Sequence, residues 1–84
     1  MIIKMQKVYI LYGTSGCHLC DEAETMIITA IKSDAVIYIK KDIVEDNNLL
    51  QKYALTIPVF KCVTTQQELN WPFTDETIRR FIDQ

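Results

Sequence analysis

The chain is poor in glycine and proline, in clustered basic charge and in long apolar runs. Its 84 residues hold only two glycines and two prolines. With so few, no flexible linker or low-complexity segment is built, and no internal repeat is present. We therefore expect a single domain over residues 1–84, with one compact core, because a chain this short buries only about 60–65% of the surface its unfolded form exposes. No basic run occurs, and the net charge of −2 is spread over both signs, so the electrostatic footprint of a nucleic-acid binder is missing. No stretch approaches the ~18 apolar residues of a membrane span. Lys4 and Lys7 precede only a short apolar run, too short for the core of a secretory signal. Three cysteines make an odd number and a poor disulfide scaffold. They fit a reducing compartment, the cytoplasm, in which a pair does chemistry.

What is present is a globular composition, 49% hydrophobic, and a clear alternation of elements. Met1 to Gln6 reads as an extended or disordered lead. Val8 to Tyr12 is apolar throughout and reads as a central parallel strand covered on both faces. Gly13 to Gly16 is a turning loop. A helix follows over His18 to Lys32, with Cys20, Ala23, Ile27, Ala30 and Ile31 at helical spacing on one face. Ala35 to Ile39 is a β-branched second strand, ended by Lys40-Lys41-Asp42. Ile43-Val44 is a short apolar link. Asp46 reads as the N-cap of a helix over Asn47 to Tyr53 that buries Leu49, Leu50 and Tyr53. Val59 to Val63 is a third strand. Thr64-Thr65 turns it into a short edge strand over Gln66 to Leu69. Trp71 and Phe73 pack under a last helix, Asp75 to Ile82, capped by Thr74, with Ile78, Phe81 and Ile82 inward. The order β-α-β-α-β-β-α begins with a right-handed parallel crossover and ends in an antiparallel hairpin.

The chemistry-bearing stretch is Gly13-Thr14-Ser15-Gly16-Cys17-His18-Leu19-Cys20, placed where the first strand hands over to the first helix. A Cys-x-x-Cys pair in that position is the mark of a thiol–disulfide site. At a helix start, free backbone N–H groups and the positive end of the macrodipole favour a thiolate. Cys17 is then the nucleophile. Cys20, three residues on and on the same helix face, is within disulfide reach and would be the resolving thiol. His18, if protonated, would lower the pKa of Cys17, whereas Asp21, Glu22 and Glu24 would raise it. The expected balance is a moderately lowered value. A zinc site is disfavoured, since Cys62 is the only further thiol and His18 the only histidine, without a zinc-ribbon spacing. Covalent haem would need a histidine after Cys20, where Asp21 stands. Cys62 itself reads as a core or half-buried thiol. Pro58 reads as the opening of a strand, at an X-Pro bond where cis peptides occur.

Taken together, Cys17 to Asp21, Ile57-Pro58-Val59 and Glu68 to Phe73 resemble the small bacterial glutaredoxin-like proteins of the thioredoxin fold. The resemblance covers nearly the whole chain from Lys7. It implies an α/β fold of the minimal glutaredoxin type, a four-stranded mixed sheet flanked by helices. It implies an exposed Cys17, a more buried Cys20 and a cis Pro58 against the disulfide. His18, Ile57 and Pro58 would contact substrate, with the Ile57 backbone free to pair with an extended peptide or with glutathione. The expected activity is thiol–disulfide exchange by a monomer on a disulfide-containing protein or on glutathione mixed disulfides. No cofactor or metal would be bound, with glutathione as a co-substrate. The other class of function is a binding module that recruits a partner through the Pro58 groove or the Trp71 loop. Two glutathione-holding features of typical glutaredoxins are not in this chain. No basic residue stands in the loop before Cys17, and no glycine pair precedes the last helix.

Overall fold

Strand β1, Lys7–Gly13, carries apolar side chains on both faces, and the layers of the molecule follow from it. The structure, a computed structural model, describes residues 6–84. The expected lead lies outside the described residues as far as Met5. After β1 come α1 (His18–Ala30), β2 (Val36–Asp42), a 3-10 turn (Ile43–Glu45), α2 (Asn47–Tyr53), β3 (Val59–Cys62), β4 (Glu68–Asn70) and α3 (Asp75–Asp83).

The sheet order is β2-β1-β3-β4. β2 runs parallel to β1, from Lys7 opposite Val36 to Gly13 opposite Asp42. β3 runs antiparallel to β1, with Tyr9 opposite Cys62 and Tyr12 opposite Val59, and β4 pairs antiparallel with β3. Successive strand side chains point to opposite faces. Tyr9 and Leu11 therefore meet Ala23 and Ile27 of α1, Phe60 of β3, and Ile78, Phe81 and Ile82 of α3 in the larger core. Tyr12 points the other way and joins Ile43, Tyr53 and Val59 under α2. This is the helix-flanked mixed sheet that the thioredoxin-fold resemblance implies. The larger core is aromatic: the Tyr9 ring lies stacked on Phe60 with centroids 5.0 Å apart, and Phe81 tilts against both. Trp71 and Phe73 pack edge to face and extend it, as expected.

Several boundaries differ from the sequence reading. β2 does not stop at Ile39 but continues through Lys40, Lys41 and Asp42, paired with Leu11, Tyr12 and Gly13. The lysines do not end it because β2 is an edge strand, where polar side chains reach solvent at little cost. α1 ends at Ala30 rather than Lys32. Ile31 turns extended while its N–H still bonds the Ile27 carbonyl, and its side chain packs on the core. Leu50 does not share the burial of Tyr53, because α2 covers the sheet with one narrow face and Leu50 lies off it. The last hairpin is shifted, with β4 at Glu68–Asn70 and Gln66 in the left-handed region of the turn. No helix among the described residues is long and apolar enough to cross a membrane.

Candidate active site

The loop after β1 delivers the first cysteine to the tip of α1. Gly16, at φ 78°, takes a conformation that side chains resist, and the Thr14 carbonyl accepts the Cys17 N–H at 3.3 Å. Cys17 is the N-cap of α1 in extended conformation. Its Sγ accepts the backbone N–H of Cys20 at 3.2 Å, in the position a serine or aspartate oxygen takes in an ordinary cap. One of the orphan donors of the helix start is thus pointed at the sulfur.

Cys17 and Cys20 are joined as a disulfide, with Cα atoms 5.2 Å apart. Cys17 is half-buried, whereas Cys20 keeps only 7% of its surface exposed. Cys20 lies against Gly13. A Cβ on Gly13 would sit 3.0 Å from the Cys20 Sγ and 3.1 Å from its Cβ. Gly13 is therefore the floor under the second sulfur, and only the absence of a side chain leaves that floor open.

The charges expected around Cys17 are mostly engaged elsewhere. Glu24 accepts the Tyr38 hydroxyl at 2.8 Å and pairs with Lys40 at 3.0 Å. The Tyr38 hydroxyl and then the Lys40 ammonium hold its carboxyl below the usual carboxylate range. β2 thus supplies the cation that the sequence around α1 lacks. His18 opens α1, is strongly exposed, and turns its Nε2 towards Glu22 at 3.3 Å.

Pro58 is buried, and its bond to Ile57 is cis. Ile57 is half-buried against the Tyr12–Tyr53 cluster. The resemblance implies a free Ile57 backbone, but its N–H donates to the Tyr53 carbonyl at 3.1 Å, in the turn that closes α2, where the Thr56 N–H donates to the same carbonyl at 3.0 Å. Among the described residues no hydrogen bond reaches the Ile57 carbonyl. The Trp71–Pro72 bond is also cis. Cys62 is a free, buried thiol facing the larger core, as expected.

Beside the disulfide, a cavity of about 680 Å³ opens between the loop and the end of β2, lined among others by Thr14, Ser15, Cys20, Lys41 and Asp42. The sequence places Gly13 in the loop and Asp42 at the end of the second strand, but not the contact of Gly13 with Cys20 or of Asp42 with Thr14. The signal for Asp42 was the β-α-β start, which brings the ends of the two parallel strands level and so sets Asp42 beside the loop. Among the described residues no three His, Cys, Asp or Glu side chains gather as a metal site.

Residues 8–83 match the family of glutaredoxin-like domains (DUF836). The chain belongs to that family. It is similar to the protein XcR50 of X. campestris, whose X-ray structure shares 31% identity and superposes with a TM-score of 0.78 over 89% of this chain and 95% of that one. The solution structure of XcR50 gives 32% identity and a TM-score of 0.75, over 89% and 91% of the two chains. Protein Ne2328 of Nitrosomonas europaea, at 23% identity, shares the fold with a TM-score of 0.77 over 92% of each chain. No curated protein matches the chain. The family match makes this a glutaredoxin-like domain, and the solved neighbours share its thioredoxin-like fold.

Proposed function

We propose that this glutaredoxin-like chain is a cytoplasmic, monomeric thiol–disulfide oxidoreductase in which Cys17 is the nucleophile and Cys20 the resolving thiol. The observation that carries this reading is the cap: Cys17 is half-buried and its sulfur accepts a helix-terminal N–H, while Cys20 is buried behind it. An N–H directed at sulfur stabilises the thiolate more than the thiol, which lowers the pKa and raises the reactive fraction at neutral pH.

The Cys17 thiolate attacks one sulfur of a substrate disulfide. A Cys17–substrate disulfide forms, and the other substrate sulfur leaves as a thiolate that takes up a proton. The Cys20 thiol then gives up its proton, and its thiolate attacks Cys17. The Cys17–Cys20 disulfide forms and the second substrate thiol departs. The substrate gains two electrons and two protons. Two equivalents of an external thiol return the protein to its dithiol form. The first opens the Cys17–Cys20 disulfide as a mixed disulfide, and the second releases it as the oxidised thiol dimer. Glutathione is the co-substrate we assign to that step. His18, the Ile57 carbonyl and Pro58 line the approach to Cys17 in this reading, with disulfide-bearing proteins or glutathione mixed disulfides as substrates.

The test is a trap. Cys20→Ser, expressed in cells, should accumulate adducts on Cys17 that dithiothreitol releases, and Cys17→Ser should accumulate none. Adducts found on Cys62, or none at all, would remove the proposed roles. Capture of the same partner by the Cys17→Ser/Cys20→Ser protein would instead favour the binding-module reading.

A further inference from the structure

We infer that Asp42 is a positioning residue for the nucleophile: from the end of β2, its carboxylate fastens the loop that sets Cys17 on the tip of α1. This rests on the role of Cys17 proposed above. The register places Asp42 level with Gly13, across the parallel β1–β2 pair. From there Oδ1 accepts the Thr14 hydroxyl at 2.9 Å. The Thr14 carbonyl in turn accepts the Cys17 N–H at 3.3 Å, and the Cys17 Sγ accepts the Cys20 N–H at 3.2 Å. The connection is continuous: carboxylate, threonine, turn, sulfur. Between Thr14 and Cys17 the loop stands in solvent. Gly16 has nothing within 4 Å of where its side chain would be, and Ser15 and Gly16 are exposed.

The carboxylate is held ionised for this work. Hydrogen bonds from the Val44 N–H first, then from the Thr14 hydroxyl, keep its pKa below the usual range, with the Ser15 N–H acting in the same sense. Oδ1 therefore serves two elements. It accepts the Val44 N–H at 3.0 Å as the cap of the 3-10 turn, and it accepts Thr14 as the anchor of the loop. The double use ties the active-site loop to the β2–α2 connection. Asp42 also lies in the wall of the cavity that reaches Cys20.

Three explanations of Asp42 make different predictions. As a positioning residue it aligns the sulfur with its N–H donor. As a cap alone it stabilises the 3-10 turn and leaves Cys17 untouched. As a bare charge it repels the Cys17 thiolate and slows it.

The experiment reacts the fully reduced protein with iodoacetamide between pH 5 and 9. Peptide mass spectrometry follows Cys17 alone, which gives its pKa and its rate at pH 7. Thr14→Val and Asp42→Ala should each slow Cys17 about three- to tenfold at pH 7, the effect of one net hydrogen bond, and raise its apparent pKa. The double variant should be no slower than Asp42→Ala alone, because both act through one hydrogen bond. Thr14→Ser and Asp42→Asn, which keep the donor and the acceptor, should recover most of the rate. The inference is overturned if Asp42→Ala lowers the melting temperature but leaves Cys17 alkylation unchanged, as a cap would. It is equally overturned if Asp42→Ala and Asp42→Asn both speed the reaction, as a bare charge would. Alkylation does not require turnover. A parent protein with no disulfide-reducing activity would overturn the proposed function and still leave this comparison readable.

Discussion

Two glycines flank the loop, and they are there for different reasons. Gly16 needs its backbone freedom, since at φ 78° a side chain is strained while the surrounding space is open. Gly13 needs its missing side chain, since a Cβ would meet the Cys20 sulfur at 3.0 Å. Their alanine variants should therefore separate. Gly16→Ala should cost about 1 kcal/mol of stability from the backbone alone and leave Cys20 in place. Gly13→Ala should cost about 1–3 kcal/mol by overpacking. It should also displace Cys20, so that dithiothreitol reduces the Cys17–Cys20 disulfide at a changed rate. Urea unfolding and the reduction time course measure the two effects, and equal behaviour of the variants would remove the distinction. The pairing of Cys17 with Cys20 and the cis Ile57–Pro58 bond were legible in the sequence because each is local to a short motif. The partners that place or neutralise them were not. Asp42 ends β2, 28 residues along the chain from Thr14 in the loop after β1, Lys40 lies on another element from Glu24, and the Gly13–Cys20 contact exists only once the helix has folded back over the strand.

Among the elements, the helix starts were the most legible and the strand ends the least. Asp46 accepts the Asn48 N–H at 2.8 Å and caps α2 as its residue type and place predict. Thr74 caps α3 in a reciprocal box, its hydroxyl accepting the Thr77 N–H at 3.0 Å while the Thr77 hydroxyl accepts the Thr74 N–H at 2.9 Å. Capping is decided within one turn of chain, so the sequence carries it in full. Strand ends are decided by the neighbour in the sheet, which is why β2 runs on through Lys40 and Lys41 while β1 remains beside it. α3 is short and supplies Ile78, Phe81 and Ile82 to the core, so its start matters beyond the helix itself. Thr74→Ala should cost about 1 kcal/mol. Thr74→Ser, which keeps the hydroxyl, should cost much less. Amide hydrogen exchange should place the loss in the first turn of α3. Faster exchange spread evenly over the sheet would contradict a capping role.

At the scale of the whole molecule, the tyrosines tie its layers together, and their ionisation is expected to set the alkaline limit of the fold. The Tyr9 hydroxyl donates to the Ile82 carbonyl at 3.2 Å, joining β1 to the end of α3. The Tyr53 hydroxyl donates to Glu68 and joins α2 to β4, and the Tyr38 hydroxyl donates to Glu24 and joins β2 to α1. Tyr12 lies stacked on Tyr53 with ring centroids 4.4 Å apart. Burial pushes the Tyr9 pKa from 10.0 up to about 12, with the nearby Cys62 thiol adding to the rise. Burial also raises Tyr53 and Tyr12, in both cases with Glu68 as the next cause, and raises Tyr38, with Glu24 next. A pKa higher in the folded than in the unfolded state means that the folded chain holds its proton longer. The associated stability is fully present below pH 10 and is lost as pH climbs through the folded value, between pH 10 and about 12 for Tyr9. Tyrosinate absorbance at 295 nm should therefore stay low at pH 10, where a free tyrosine is half ionised. It should then rise together with the loss of helical circular dichroism, since the hydroxyls that must ionise are those that bridge the layers. Tyr9→Phe keeps the stacked ring and removes one bridge. It should be less stable than the parent at pH 7 by about 1 kcal/mol, and the gap should narrow as pH rises from 10 to 12. A tyrosinate signal half complete near pH 10 with the dichroism intact would show that these hydroxyls do not hold the layers together.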